Sequence, residues 1–253
     1  MEERRQGTIN NDIYDELGER WYTAKDHPVA LLRAEARVRN RWIVQQLHQI
    51  FPASHVHVLD IGCGAGFLTN ALATQGFVVT GLDASASSLA VAKQYDPARL
   101  VTYARGDAYH LPYADASFEA VCAMDFLEHV AEPAHVVKEA ARVLKPHGRF
   151  FFHTFNRNVL SYLVVIKGVE WFVNNTPPDL HVLTLFIKPA ELRAMCAANG
   201  LRLTSLQGLV PKITQRAFWH MLRTGSVEDE FEFVFTPSTL TGYTGMAIKE
   251  EDR

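Results

Sequence analysis

Between His55 and Phe155 short apolar runs alternate with amphipathic ones, and that alternation leaves few folds open. HVHVLDIG (55–62), FVVTGLD (77–83), LVTYARGD (100–107), FEAVCAMD (118–125) and GRFFFHTF (148–155) read as buried strands. FLTNALATQG (67–76), SASSLAVAKQY (85–95) and PAHVVKEAARVLK (133–145) read as helices. Gly76 suits a C-cap, Ser85 or Ser87 an N-cap, and Pro133 a first helical turn. Strand and helix alternating, joined by short connections, predict an α/β fold with a parallel sheet covered on both faces.

The flanks extend this frame. ALLRAEARVRNRWIVQQLHQIF (30–51) predicts a helix, because Leu31, Leu32, Val38, Trp42, Val44 and Leu47 recur at nearly helical spacing. Residues 1–28 are polar and read as short helix and loop. IKPAELRAMCAANG (187–200) predicts a helix, and LRLTSLQGLV (201–210) and TLTGYTGMAIK (239–249) predict strands. The expected organisation is a helical cap over 1–50 and one large domain over 51–253, with insertions at about 156–186 and 211–238. Hydrophobic residues make up 48% of the 253, enough for a sizeable core. A net charge of −3 gives no basic face, so nucleic acid is not an expected partner. Cys63, Cys122 and Cys196 form no CxxC pair, which fits a reducing cytosol better than a disulfide framework or a zinc site. The first residues lack an apolar signal core, and no apolar run reaches the ~18 residues a bilayer span needs, so a cytoplasmic protein is expected.

The turn after the first strand carries the chemistry. It reads D-x-G-x-G-x-G through Asp60, Gly62, Gly64 and Gly66. Glycines at a strand-to-helix turn let a ligand lie against the backbone. A dinucleotide fingerprint needs a sixth-position glycine, and Phe67 stands there, which disfavours a dehydrogenase. Asp60 also argues against a pyrophosphate, since a carboxylate repels one. It would favour the ammonium and sulfonium of S-adenosyl-L-methionine. Asp83 ends the second strand and suits the ribose hydroxyls. Asp107, followed by Ala108 in RGDA, closes the third strand and could accept from an adenine amino group.

With VLDIGCGAG, GLD, LPYADASFEAVCAMDFLEHV and VLKPHGRFFFHTFNRN in this order, the stretch 58–155 resembles the class I S-adenosylmethionine-dependent methyltransferases. AMDFLEHV, FNRNVLSYLVVIKGVEWF and FIKPAEL narrow the resemblance to the ubiquinone-biosynthesis O-methyltransferases, over roughly residues 30–205. The resemblance implies a Rossmann-like fold with a mostly parallel seven-stranded sheet and insertions after strands five and six. It implies cofactor contacts from Arg39, Gly62, Asp83 and Met124, and a polyprenyl catechol as the aromatic acceptor.

A catechol hydroxyl ionises near ~10 and is a weak nucleophile at neutral pH, so a general base or a divalent metal would help it. Asp125, Glu128 and His129 offer both, since i+3 and i+4 spacing after a strand could gather them on one side. In the resembling family the motif is Glu-x-x-Glu-His and is assigned to magnesium; here the first acid is Asp. Three readings stay open for the triplet: an Mg2+ site, a metal-free base at His129, or a structural role. His181 in PDLHVLT is a second acid–base candidate. NRNVLSYLVVIKGVEWFV (156–173) is either a core helix or a lid over a greasy substrate, touching the inner face of a membrane. The alternatives for function are a methyltransferase acting on another small-molecule O, N or C nucleophile, and a non-catalytic cofactor-binding scaffold. The sequence leaves the oligomeric state open.

Overall fold

The computed structural model describes residues 11–51 and 55–251; residues 1–10, which fall in the expected N-terminal cap, lie outside the described part. A short helix α1 (Arg20–Thr23) leads into the long α2 (Val29–Ile50). The alternation then runs β1 (His57–Ile61), α3 (Phe67–Ala73), β2 (Val78–Asp83), α4 (Ala86–Gln94), β3 (Val101–Arg105), β4 (Phe118–Met124), α5 (Pro133–Val143) and β5 (Leu144–Phe155). Ser85 caps α4 by accepting the Ser88 N–H, and Pro133 opens α5. After β5 come α6 (Val159–Ser161), a π-helical stretch over Tyr162–Lys167, α7 (Gly168–Phe172), α8 (Pro189–Ala198), β6 (Leu201–Pro211), α9 (Arg216–Thr224), β7 (Phe233–Thr236) and β8 (Gly242–Lys249).

The eight strands form one sheet in the order β3-β2-β1-β4-β5-β8-β6-β7. The first five are parallel, and β8 runs antiparallel to both β5 and β6. The sheet is therefore one strand wider than expected. The extra strand, β7, pairs antiparallel with the end of β6, Phe233 opposite Pro211. It lies in the segment expected as an insertion. Phe231 and Phe233 are buried there with Met221 of α9, Leu209 and Val173, and that apolar alternation is what makes the strand.

Both faces of the sheet are covered. Phe150 and Phe152 of β5 pack with Val136, Val137 and Ala140 of α5 and with Leu192 of α8. Phe151, between them in sequence, points the other way to Ile43 and Leu47 of α2 and Leu68 and Leu72 of α3. Period-two alternation with both sets buried is the mark of a strand sandwiched between helix layers. Strand order reverses between β1 and β4, where Asp60 lies opposite Cys122. Open α/β sheets bind ligands at the carboxyl ends of strands beside such a reversal.

Candidate active site

The turn after β1 takes a path only small residues allow. Gly62, Gly64 and Gly66 all have positive φ, at 69°, 51° and 84°. A Cβ on Gly62 would collide with the Phe126 ring, and one on Gly64 would touch Trp21 at 3.3 Å. Gly66 does not line the cleft; its bare Cα gives room to the Tyr103 hydroxyl, Ala92 and Asn70.

A cavity of about 420 Å³ opens over this turn, lined by Asp60, Gly62, Gly64, Asp83, Met124, Asp125 and His129. A second, of about 540 Å³, lies on the other side of Phe126 and carries Asp83, Asp107 and Ala108. Asp83 reaches both and accepts N–H bonds from Gly64 and Ser85, each at 2.8 Å. Asp107 is exposed and accepts from the Tyr109 N–H at 2.9 Å. The first cavity is short of positive charge. Burial, and then the Asp83 carboxylate, push the Asp60 carboxyl well above its ordinary range; Asp125 adds to this, and Arg39 alone opposes it. A cationic ligand suits such a site and a pyrophosphate does not.

Arg39 extends from α2 into the cleft and is 2% exposed. Its guanidinium takes both oxygens of Asp125, with Nη1 2.7 Å from Oδ1 and Nη2 in contact with Oδ2. This fork outweighs the burial of Asp125 and holds its carboxyl below the usual range. Glu35 stands 3.9 Å from Arg39, and His153 of β5 lies 3.6 Å from Asp125 with both ring nitrogens unpartnered. Sequence reasoning missed both. Glu35 and Arg39 form an i,i+4 pair visible in RAEAR, but His153 sits in a phenylalanine run that signals only core.

The expected triplet does not converge. Leu127–His129 is a 3₁₀ turn, in which consecutive side chains diverge by about 120°. His129 therefore lines the cavity, whereas Glu128 turns into the protein, 1% exposed, with neither oxygen hydrogen-bonded. Burial, then Asp125, pushes the Glu128 carboxyl up to about 8, so it is mostly neutral at pH 7. Among the described residues, the carboxylate and imidazole atoms lying within 4.8 Å of one another belong to Glu35, Asp125 and His153. A divalent cation there would have to displace the Arg39 fork. The residues present do not fit magnesium, either as the sequence triplet or as this group.

His129 is lowered to about 4 by burial and is a neutral imidazole at pH 7. His181 comes to the same cavity, its ring centroid 6.0 Å from that of His129, and burial lowers it to about 3. Beyond them the cavity wall is apolar: Phe155, Val164, Val165, Val169, Leu180 and Leu209. The 159–172 segment supplies part of that wall, and its other side is bare, with Val159, Leu160, Leu163 and Trp171 44–73% exposed. No helix among the described residues is long and apolar enough to cross a membrane.

A methyltransferase-domain family matches residues 59–152. A ubiquinone biosynthesis O-methyltransferase of Coxiella burnetii is 36% identical over 200 residues, covering 78% of this chain and 82% of that protein. One from Thiobacillus denitrificans is 37% identical over 199 residues, covering 78% and 84%. Among solved structures, magnesium protoporphyrin IX methyltransferase from Synechocystis with bound SAH superposes with a TM-score of 0.59 at 18% identity, over 85% of this chain and 84% of that one. The YcgJ protein of Bacillus subtilis superposes with a TM-score of 0.58 at 18% identity, over 85% and 100%. These likenesses show the same fold.

Proposed function

This chain belongs to the ubiquinone biosynthesis O-methyltransferase family and is an S-adenosylmethionine-dependent methyltransferase, and from that premise we propose that it methylates a phenolic oxygen of a polyprenylated catechol. When bound, S-adenosylmethionine would supply a methyl group on a sulfonium, with a neutral thioether as the leaving group. Asp83, at the junction of the two cavities, takes the ribose hydroxyls with the lone pairs its two N–H bonds leave free. Asp107 and Ala108, in the second cavity, would hold the adenine end, and Asp60, in the first, would hold the methionyl end.

His129 acts as the base. A base held near 4 does not ionise a phenol in advance. It takes the O–H proton as the oxygen gains the methyl, when that proton becomes strongly acidic, and then gives it to solvent. No step passes through a metal. Arg39 holds Asp125 beside the reacting centre and balances its charge.

The observation that carries the substrate class is the continuity of one cavity. It runs from the glycine turn past His129 and His181 to an apolar wall beneath the 159–172 segment. The polar part suits a hydroxylated ring and the apolar part a prenyl chain. The bare outer side of that segment would rest on lipid, where such substrates dissolve. The test compares a prenylated catechol with plain catechol. A kcat/KM at least about a hundredfold higher for the prenylated acceptor supports the reading, since each buried methylene contributes ~0.8 kcal/mol. Equal values overturn it.

A further inference from the structure

The segment from Asn11 through α1 crosses the cleft as a strap. Asp15 accepts from the hydroxyls of Ser85 and Ser87 at the turn after β2, the latter at 2.8 Å. The Tyr22 hydroxyl donates to the Ala65 carbonyl in the glycine turn at 2.9 Å. The Tyr14 ring stacks on Trp21 and meets His129 edge-on, at centroid distances of 5.5 and 5.6 Å. At its head, Asn11 Nδ2 donates to the His129 carbonyl at 3.1 Å, and Asn11 Oδ1 lies 3.2 Å from His129 Nδ1.

That pair of contacts fixes protons that the heavy atoms alone do not show. A carbonyl only accepts, so the amide nitrogen must face it, and the amide oxygen must face the ring. An oxygen facing Nδ1 requires Nδ1 to carry the hydrogen. In a neutral imidazole the other nitrogen, Nε2, is then a bare lone pair. Turning the amide over would set two oxygens against each other at the carbonyl. Capping that carbonyl needs one donor only; the second contact, to the ring, is what a purely structural asparagine would not supply.

We infer that Asn11 is a positioning residue that sets the His129 tautomer, leaving Nε2 as the atom that receives the acceptor's proton. This rests on the reading of His129 as the base. The O–H bond of the acceptor breaks toward Nε2 as its oxygen bonds the methyl carbon and the sulfur keeps the electron pair of the broken S–C bond.

The test joins nitrogen-15 NMR of the histidine rings in the full chain, bound to S-adenosylhomocysteine, with steady-state kinetics. In the wild type the His129 signals should report Nδ1–H. Asn11→Leu should shift the population toward Nε2–H and lower kcat about tenfold, the ratio one ordinary hydrogen bond sets between two states. KM for the acceptor and the dissociation constant of S-adenosylhomocysteine should hold. Asn11→Asp keeps an oxygen facing Nδ1 but loses the donor to the His129 carbonyl, so it should restore the Nδ1–H tautomer and only part of kcat. An Nε2–H wild type overturns the inference, as does an Asn11→Leu variant with its tautomer unchanged. So does a loss of cofactor affinity in step with kcat, which would make Asn11 a strap anchor only. The base reading fails separately, if His129→Ala keeps full turnover.

Discussion

The Arg39 guanidinium and the Asp125 carboxylate, 86 residues apart in sequence, lock two-to-two across the cleft, 2% and 12% exposed. Asp125 also holds a positive φ of 52°, uncommon outside glycine, at the turn where the chain leaves β4. Removing one partner strands the other. Arg39→Met should lower unfolding free energy by about 3–5 kcal/mol, the usual cost of an uncompensated buried charge, whereas Arg39→Met with Asp125→Asn, which keeps a residue tolerant of that φ, should recover much of it. Urea unfolding of the singles and the double measures this. Equal losses in single and double variants would mean the pair contributes nothing as a pair.

The ribose role proposed for Asp83 rests on acceptor capacity alone. Asp83→Ala should weaken S-adenosylmethionine binding about a hundredfold, the worth of two hydrogen bonds to a charged group at the low end of their range. Asp83→Asn, with one acceptor oxygen left, should fall between. Calorimetric titration reads both, and unchanged affinity would remove Asp83 from the ribose.

Glu128 gives a pH dependence whose sign follows from its shift. In the unfolded chain its carboxyl ionises near 4.5; in the fold it keeps its proton until about 8. Between those values the unfolded state binds fewer protons, so stability falls as pH rises, by up to about 1.4 kcal/mol per pH unit for a group fully held neutral. Glu128→Gln should flatten the slope between pH 5 and 8 and retain turnover. Glu35 and Asp60, also raised by burial, add slope of the same sign, while the buried and lowered His129, His153 and His181 add slope of the opposite sign at the acid end. Chemical denaturation at several pH values checks it.

The sheet order from β3 to β5 was legible because each strand and helix carries its own period, and the capping Ser85 and Pro133 are local signals. The eighth strand was not read from the sequence: Phe231, Phe233 and Phe235 alternate, but the preceding mixture of Phe218, Trp219, Lys212 and Arg216 gave the segment a polar-aromatic character with no strand period. That Asp60, Gly62, Gly64, Asp83, Asp107 and Met124 line the two cavities was legible because they follow strand ends one by one. The reaction centre was not. Whether Glu128 or His129 faces the cavity depends on a single 3₁₀ turn, and the Arg39–Asp125 and Asn11–His129 contacts join elements that no local pattern connects.

The exposed side of the 159–172 segment predicts a separable lipid contact. Leu160, Leu163 and Trp171 do not line the cavity, and they are 44%, 47% and 65% exposed. Replacing the three with serine should reduce sedimentation with anionic liposomes about tenfold or more, since each side chain contributes ~1.5 kcal/mol or more when fully buried in an apolar phase. Turnover of a water-soluble catechol should hold. Undiminished liposome binding would make the patch ordinary surface.

Chelation gives the sharpest contrast between the two ways of activating a catechol. A magnesium site would need Asp125 free, Glu128 ionised and turned outward, and His129 beside them. Arg39 instead occupies Asp125, while Glu128 is buried, raised to about 8 and off the cavity. A metal would therefore have to break an ion pair and ionise a buried acid before it touched substrate, and both steps cost free energy in a low-dielectric site. Turnover by the purified enzyme should be the same in EDTA as in millimolar Mg2+, and His129→Ala should lower kcat by about 10²–10⁴, the span of general acid–base catalysis. If EDTA abolishes turnover and Mg2+ restores it, the Arg39 fork must open during the catalytic cycle, and the metal-free base gives way.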